Sequence, residues 1–322
     1  TPQLKRALTA FLAATIMLLP LAGCAFHNND EGKLKIVATI FPEYDWIMNI
    51  VGEDNAGTDV KLLIDNGVDV HSYQPTAEDI MLIQTCDVFV YVGGESDSWV
   101  TDVLENRIND DMTVINLMEV LSDNVREEET VEGMESEDEE EEESFDEHVW
   151  LSLRNAELCV LAIEDALKEK DPQNGDIYEA NAAAYVEELD SLDAEYEEVI
   201  SGALSDTLLF ADRFPFRYLT EDYGLNYYAA FAGCSAETNA SFDTITFLAG
   251  KVDELDLPAI LIIDGSDGSV ASTVAGICSR SDIPVLTLDS MQSVTSSDIE
   301  NGADYITIMR GNLDVLSEAL SA

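Results

Sequence analysis

His71 and His148 are two of only three histidines in a chain of 322 residues. A neutral imidazole offers one lone pair and one N–H, so two of them held together form a natural metal-binding pair. Taken singly, a lone histidine is more often structural. His71 lies in Gly67-Val68-Asp69-Val70-His71-Ser72-Tyr73-Gln74-Pro75, and His148 is followed by Val149-Trp150-Leu151. Both fall in the same half of the chain, on loops that precede a helix. His148 also ends an acidic run. Fourteen of the twenty-one residues from Glu127 to Glu147 are Asp or Glu, and none is Lys or Arg. Such a run repels itself and buries little apolar surface, so it reads as a solvated, mobile loop. It is either a solubilising loop beside an ordinary histidine or a cation-collecting loop beside a metal ligand.

The remaining composition removes several chemistries. There is no Cys-x-x-Cys, His-Glu-x-x-His, Gly-x-Ser-x-Gly or phosphate-binding loop. Cys86 and Cys159 sit in apolar contexts and read as core. Cys234 and Cys278 are left as potential disulfide partners, and no thiolate is placed to select a soft metal. The net charge of −51 is spread well beyond the acidic loop. Nucleic acid is excluded as a partner, because phosphate binding needs Lys and Arg. A cationic ligand or a saline habitat fits this charge.

The elements that must position the histidines follow from hydrophobic patterning. Residues 1–24 read as a secretory signal peptide, with Lys5 and Arg6 ahead of an apolar run. Leu21-Ala22-Gly23-Cys24 resembles the bacterial lipobox, which implies cleavage before Cys24 and lipid on its thiol. Residues 25–33, with His27, form a polar tether. Strand and helix then alternate over 34–175, predicting an N-terminal α/β lobe that contains the acidic loop 127–147. Thr76 and Asp79 form a capping-box pattern for a helix over 76–84. A second alternating unit over 206–322 predicts a C-terminal lobe, closing with a helix over 298–320. Between them, Tyr178, Ala182, Tyr185, Leu189, Leu192, Tyr196 and Val199 form one apolar stripe. That stripe predicts a single linking helix over 176–205. Two parallel-sheet α/β lobes joined by one long interdomain helix place the site in the cleft between them.

Gly-x-Asp-x-His-x-Tyr-x-Pro, followed by Thr76-Ala77-Glu78-Asp79 and the strand Asp87–Gly94, resembles the first metal motif of a known family. That family is the zinc/manganese receptor lipoproteins of bacterial metal ABC importers, solute-binding protein family 9. His148-Val149-Trp150-Leu151 resembles its second motif. Phe214–Leu225 is similar to its aromatic helix ending in Tyr-Gly-Leu, and Leu286–Ser290 to its last ligand segment. The resemblance implies His71, His148 and Asp289 as metal ligands, with Zn²⁺ or Mn²⁺ as the ion. It also implies an extracytoplasmic receptor, lipid-anchored to the membrane, that delivers its ion to an ABC importer permease. The family's third ligand falls on Arg213, which has no lone pair to offer. Asp212, Glu237 or water is expected to fill that place, with Arg213 forking onto Glu237 or Asp289. Two other functions remain open on the residues alone. One is a secreted metallohydrolase using the same His and carboxylate groups. The other is a receptor for an anion clamped by Arg213.

Overall fold

The computed structural model describes residues 32–52, 57–135, 145–235, 239–280 and 282–321. The expected signal peptide, Cys24 and Glu237 lie outside them. Among the described residues no helix is long and apolar enough to cross a membrane.

The first half runs β1 (Leu34–Ala38), α1 (Phe41–Val51), β2 (Thr58–Leu62), α2 (Ala77–Thr85), β3 (Val88–Tyr91), α3 (Val100–Glu105), β4 (Thr113–Asn116), α4 (Leu117–Leu121) and α5 (Leu153–Lys170). After α6 (Gly175–Ser201), the second half runs β5 (Thr207–Phe214), α7 (Arg217–Tyr223), β6 (Asn226–Ala232), α8 (Phe242–Glu254), β7 (Ile260–Ile263), α9 (Ser269–Ile277), β8 (Val285–Leu288), α10 (Ser296–Glu300) and α11 (Tyr305–Ala319). Each half builds a four-stranded parallel sheet, in the orders β2-β1-β3-β4 and β6-β5-β7-β8. The two lobes therefore share one topology.

Parallel strands are covered on both faces, which is why they read as continuous apolar runs. Ile36 pairs with Val60 on one side and Val88 on the other. Ile36, Val88, Phe89 and Val90 are all fully buried. The order of each sheet reverses beside its first strand, and ligands of such sheets gather at the carboxyl ends near that reversal.

The Thr76 and Asp79 capping box forms as the sequence implies, with Thr76 N–H donating to Asp79 at 2.8 Å. Helix α6 is unbroken over 27 residues, about 40 Å at 1.5 Å per residue. Its buried stripe is Tyr178, Ala182, Tyr185, Leu189, Leu192 and Tyr196. Tyr185 Oη reaches Asp45 on α1 at 3.2 Å, and Tyr196 Oη donates to the Met309 carbonyl on α11 at 2.6 Å. One helix thus packs on a helix of each half. It stops at Gly202, short of the expected 205.

Two expectations need correction. The closing helix expected over 298–320 is two helices. Gly302 takes φ +94°, and the Asp304 side chain caps α11 by accepting from Thr307 N at 2.8 Å. A left-handed glycine followed by an N-cap ends one helix and starts another. The acidic arm is also not wholly solvated. Met134 is buried, Glu135 N donates to the Ala230 carbonyl at 2.9 Å, and Glu129 pairs with Arg217. Val131 and Met134, with carboxylates of the arm, dock residues 127–135 onto the second half. Residues 136–144 lie outside the described set.

Candidate metal centre

His71 sits in a single 3-10 turn, Val70–Ser72, just beyond β2. Asp69 caps that turn by accepting from His71 N at 3.0 Å. The ring is then fixed by Ser96 Oγ, 2.7 Å from Nδ1. His148 opens a second 3-10 turn, Val149–Leu151, and is fully buried. Asp146 takes both its main-chain N–H at 2.8 Å and its ring Nδ1 at 2.9 Å. Both rings are thus oriented through Nδ1, and both aim Nε2 inward. The two Nε2 atoms are 3.2 Å apart.

That distance has a direct chemical meaning. In the tautomer with both Nδ1 atoms protonated and donating outward, two lone pairs face each other. Such a pair needs a proton or a cation between its nitrogens. Two nitrogens bound to one tetrahedral ion at 2.0–2.1 Å would lie about 3.4 Å apart. The orienting partners, Asp146 on one ring and Ser96 on the other, are the outer hydrogen bonds that metal-binding histidines require.

The electrostatics differ between the rings. Burial, then the neighbouring His148 and Arg213, push His71 down to about 3 against the opposing pull of Asp69, so His71 is neutral at physiological pH. Burial also acts to lower His148. Asp146, through charge and hydrogen bond, with Glu147 and Glu128, outweighs it and holds His148 above its usual value.

Close backbone approach frames the pair. A Cβ on Gly94, which has φ +80°, would fall 2.4 Å from Glu147 Oε1. Glu147 is buried there, accepting from Ser96 N at 2.9 Å, with Oε2 3.9 Å from His71 Nδ1. A Cβ on Gly233 would meet the His148 ring at 3.0 Å and the Phe214 carbonyl at 2.9 Å.

The next residue, Cys234, was missed as a site residue. Its Sγ and one ring nitrogen from each histidine all lie within 4.8 Å of one another. Cys234 N donates to Glu128 Oε1 at 3.0 Å. Burial and the carboxylates of Glu128, Asp146 and Glu147 raise the thiol well above its usual range. A thiol thus stands beside the two histidines, where the sequence placed none to select a soft metal. The pairing of Cys234 with Cys278, left open by the sequence, is not formed, since both are free. Cys86 and Cys159 are buried core residues, as their contexts imply.

The other expected residues are placed differently. Asp289 stands at the exit of β8 but is not in the His–His–Cys group. Its Oδ1 accepts from Met291 N at 2.7 Å, while its main chain is clasped by Asn312 at 2.8 Å on both sides. Burial and the nearby Asp264 raise its carboxyl to about 6. Asp212 spends its carboxylate on Arg213 N at 2.9 Å and Ile263 N at 3.3 Å. Arg213 does not fork onto Asp289. Its guanidinium pairs with Asp69, whose carboxyl is held below the usual range by that arginine in spite of burial. Arg213 is thus neutralised rather than presented to an anion. Asp69 and Arg213 border a cleft of about 350 Å³ with Asp212, Asp264 and Ser290; the two histidines do not line it.

The sequence matches the family of the periplasmic zinc-uptake complex component A, ZnuA, over residues 36–319. The chain belongs to the ZnuA family. It is 30% identical over 295 residues to the zinc-binding protein AdcA of Streptococcus pyogenes, covering 89% of this chain and 56% of that relative. The chain therefore spans about half the length of that relative. It is 28% identical over 325 residues to the high-affinity zinc uptake system protein ZnuA of Bacillus subtilis, covering 96% of both. The crystal structure of the zinc-bound ZnuA-like domain of AdcA from Streptococcus pneumoniae superposes with a TM-score of 0.71. It has 29% identity and covers 90% of this chain and all of that one. The resemblance carried by the two histidine motifs is thus family membership. In this ZnuA-family chain, the segment after β6 carried no spacing signal that would have singled out Cys234. The one available hint was a Gly-Cys pair at the carboxyl end of a strand.

Proposed function

We propose that this chain is an extracytoplasmic receptor that binds divalent zinc between His71 and His148 and delivers it to an ABC importer permease. Lipid on Cys24 holds it to the membrane. The observation that carries the reading is the 3.2 Å approach of the two Nε2 atoms, each ring being oriented through its Nδ1 by a separate partner. A hydrolase reading lacks a comparable observation. The anion reading loses its clamp, because Arg213 is already paired with Asp69. The zinc-binding names of the relatives support the choice of ion.

Elemental analysis of the natively purified protein tests the reading. One equivalent of zinc is expected, lost in His71→Ala and in His148→Ala. A metal-free protein that fails to take up zinc on titration would remove it.

A further inference from the structure

We propose that Cys234 supplies the third metal ligand as a thiolate, in the place where the family pattern has a ligand and this chain has Arg213. The proposal rests on the receptor reading above and names the donor set of that site.

The geometry supports it from three directions. Cys234 Sγ lies within 4.8 Å of a ring nitrogen of both His71 and His148. A tetrahedral ion with Zn–N near 2.1 Å and Zn–S near 2.3 Å would bring nitrogen and sulfur to about 3.6 Å, a short closure from the present group. Second, β5 and β6 are paired neighbours, with Arg213 opposite Phe231. The turn after β6 therefore emerges beside the position that Arg213 occupies, and the thiol takes over from the neighbouring strand. Third, Gly233 lets that turn lie against the His148 ring, where any Cβ would collide. The main-chain N–H of Glu147 reaches the sulfur and Cys234 N is held by Glu128, so the side chain is steered from both ends.

On binding, the thiol S–H bond breaks, its proton leaves to solvent and a metal–sulfur bond forms. No oxidant or reductant is needed. The thiolate contributes one negative charge, and Arg213 adds no net positive charge because Asp69 neutralises it. Two imidazoles and a thiolate are a borderline-soft donor set. It suits zinc, cobalt and cadmium and disfavours manganese, which prefers carboxylate and water oxygen. Selectivity for zinc over manganese thus comes from the sulfur rather than from cavity shape alone.

Cobalt(II) titration of the purified protein tests this by absorbance. The expected result is one equivalent bound with an intense near-ultraviolet sulfur-to-cobalt band. In Cys234→Ser that band is lost, and zinc affinity falls by about 100-fold or more by chelator competition. Zinc X-ray absorption on the unmodified protein, which does not depend on the variant folding, should show one sulfur at about 2.3 Å. Metal bound with no sulfur by either method, or a band that survives in Cys234→Ser, overturns the proposal and leaves the receptor reading standing. Failure to bind zinc or cobalt at all overturns both.

Discussion

The Arg213 guanidinium is paired with the Asp69 carboxylate, across 144 residues of chain, and Asp69 is also the cap of the turn that carries His71. One carboxylate therefore both shapes the histidine turn and cancels the Arg213 cation at the edge of the site. Arg213→Gln should free that negative charge. Zinc binding is expected to tighten by roughly three- to tenfold at low ionic strength, with the gain shrinking as salt is raised. Chelator competition at two salt concentrations checks it. Unchanged or weaker binding at low salt would mean that Arg213 serves mainly to hold the turn in place.

Gly233→Ala should damage the site more than the fold. The added methyl would sit 3.0 Å from the His148 ring and 2.9 Å from the Phe214 carbonyl. Overpacking of this kind costs about 1–3 kcal/mol, and both the Phe214 carbonyl and the His148 ring have to give way. Zinc affinity is expected to drop by at least about tenfold, with the circular dichroism spectrum unchanged.

Glu43 gives the clearest pH dependence of stability away from the site. It is fully buried, and its Oε2 accepts from Thr39 N at 2.8 Å and Ile40 N at 3.2 Å. Burial, then the charge of Asp97, raises it from 4.5 to about 8. The folded protein thus keeps a proton that the unfolded chain has already released. Its stabilising effect is fully present below pH 4.5 and is lost as pH rises towards 8. The loss amounts to several kcal/mol, because a tenfold change in proton affinity is worth about 1.4 kcal/mol. Urea midpoints are expected to fall between pH 5 and 8 in the natural protein and to stay flatter in Glu43→Gln.

The acidic arm should matter to stability through its described part. Met134→Ala removes a buried side chain and should cost about 2–3 kcal/mol. Excising residues 128–143 also takes away the Glu128 acceptor of Cys234 N. Weaker zinc binding is then expected even at high salt, where long-range attraction by the arm is screened. Full affinity at high salt after that excision would show that the arm acts only through its charge.

Local chemistry was legible in the sequence, and long-range pairing was not. The α6 stripe and the Thr76–Asp79 cap are set by residues within a turn or two of each other, so periodicity reveals them. Gly302 and Asp304 also carried the stop and start signals that divide the closing helix. The long apolar pattern across them favoured one helix instead. Arg213 could be seen to lack a lone pair, but its partner lies in the other half of the chain, and only folding brings Asp69 to it. Cys234 had no second cysteine or histidine at metal-ligand spacing. It becomes a site residue only because β6 runs beside β5 and Gly233 permits close approach to His148. The arm misled because its composition is that of a solvated segment, and Val131 and Met134 are enough to dock part of it.

Everything proposed for this chain depends on one zinc ion sitting between the two facing histidine nitrogens. Anomalous diffraction at the zinc edge, from crystals grown with one equivalent of zinc, tests that placement most directly. A single peak about 2.1 Å from both His71 Nε2 and His148 Nε2 is expected. A peak lodged instead among Asp212, Asp264 and Ser290, with the two imidazoles still facing each other unbridged, would contradict it.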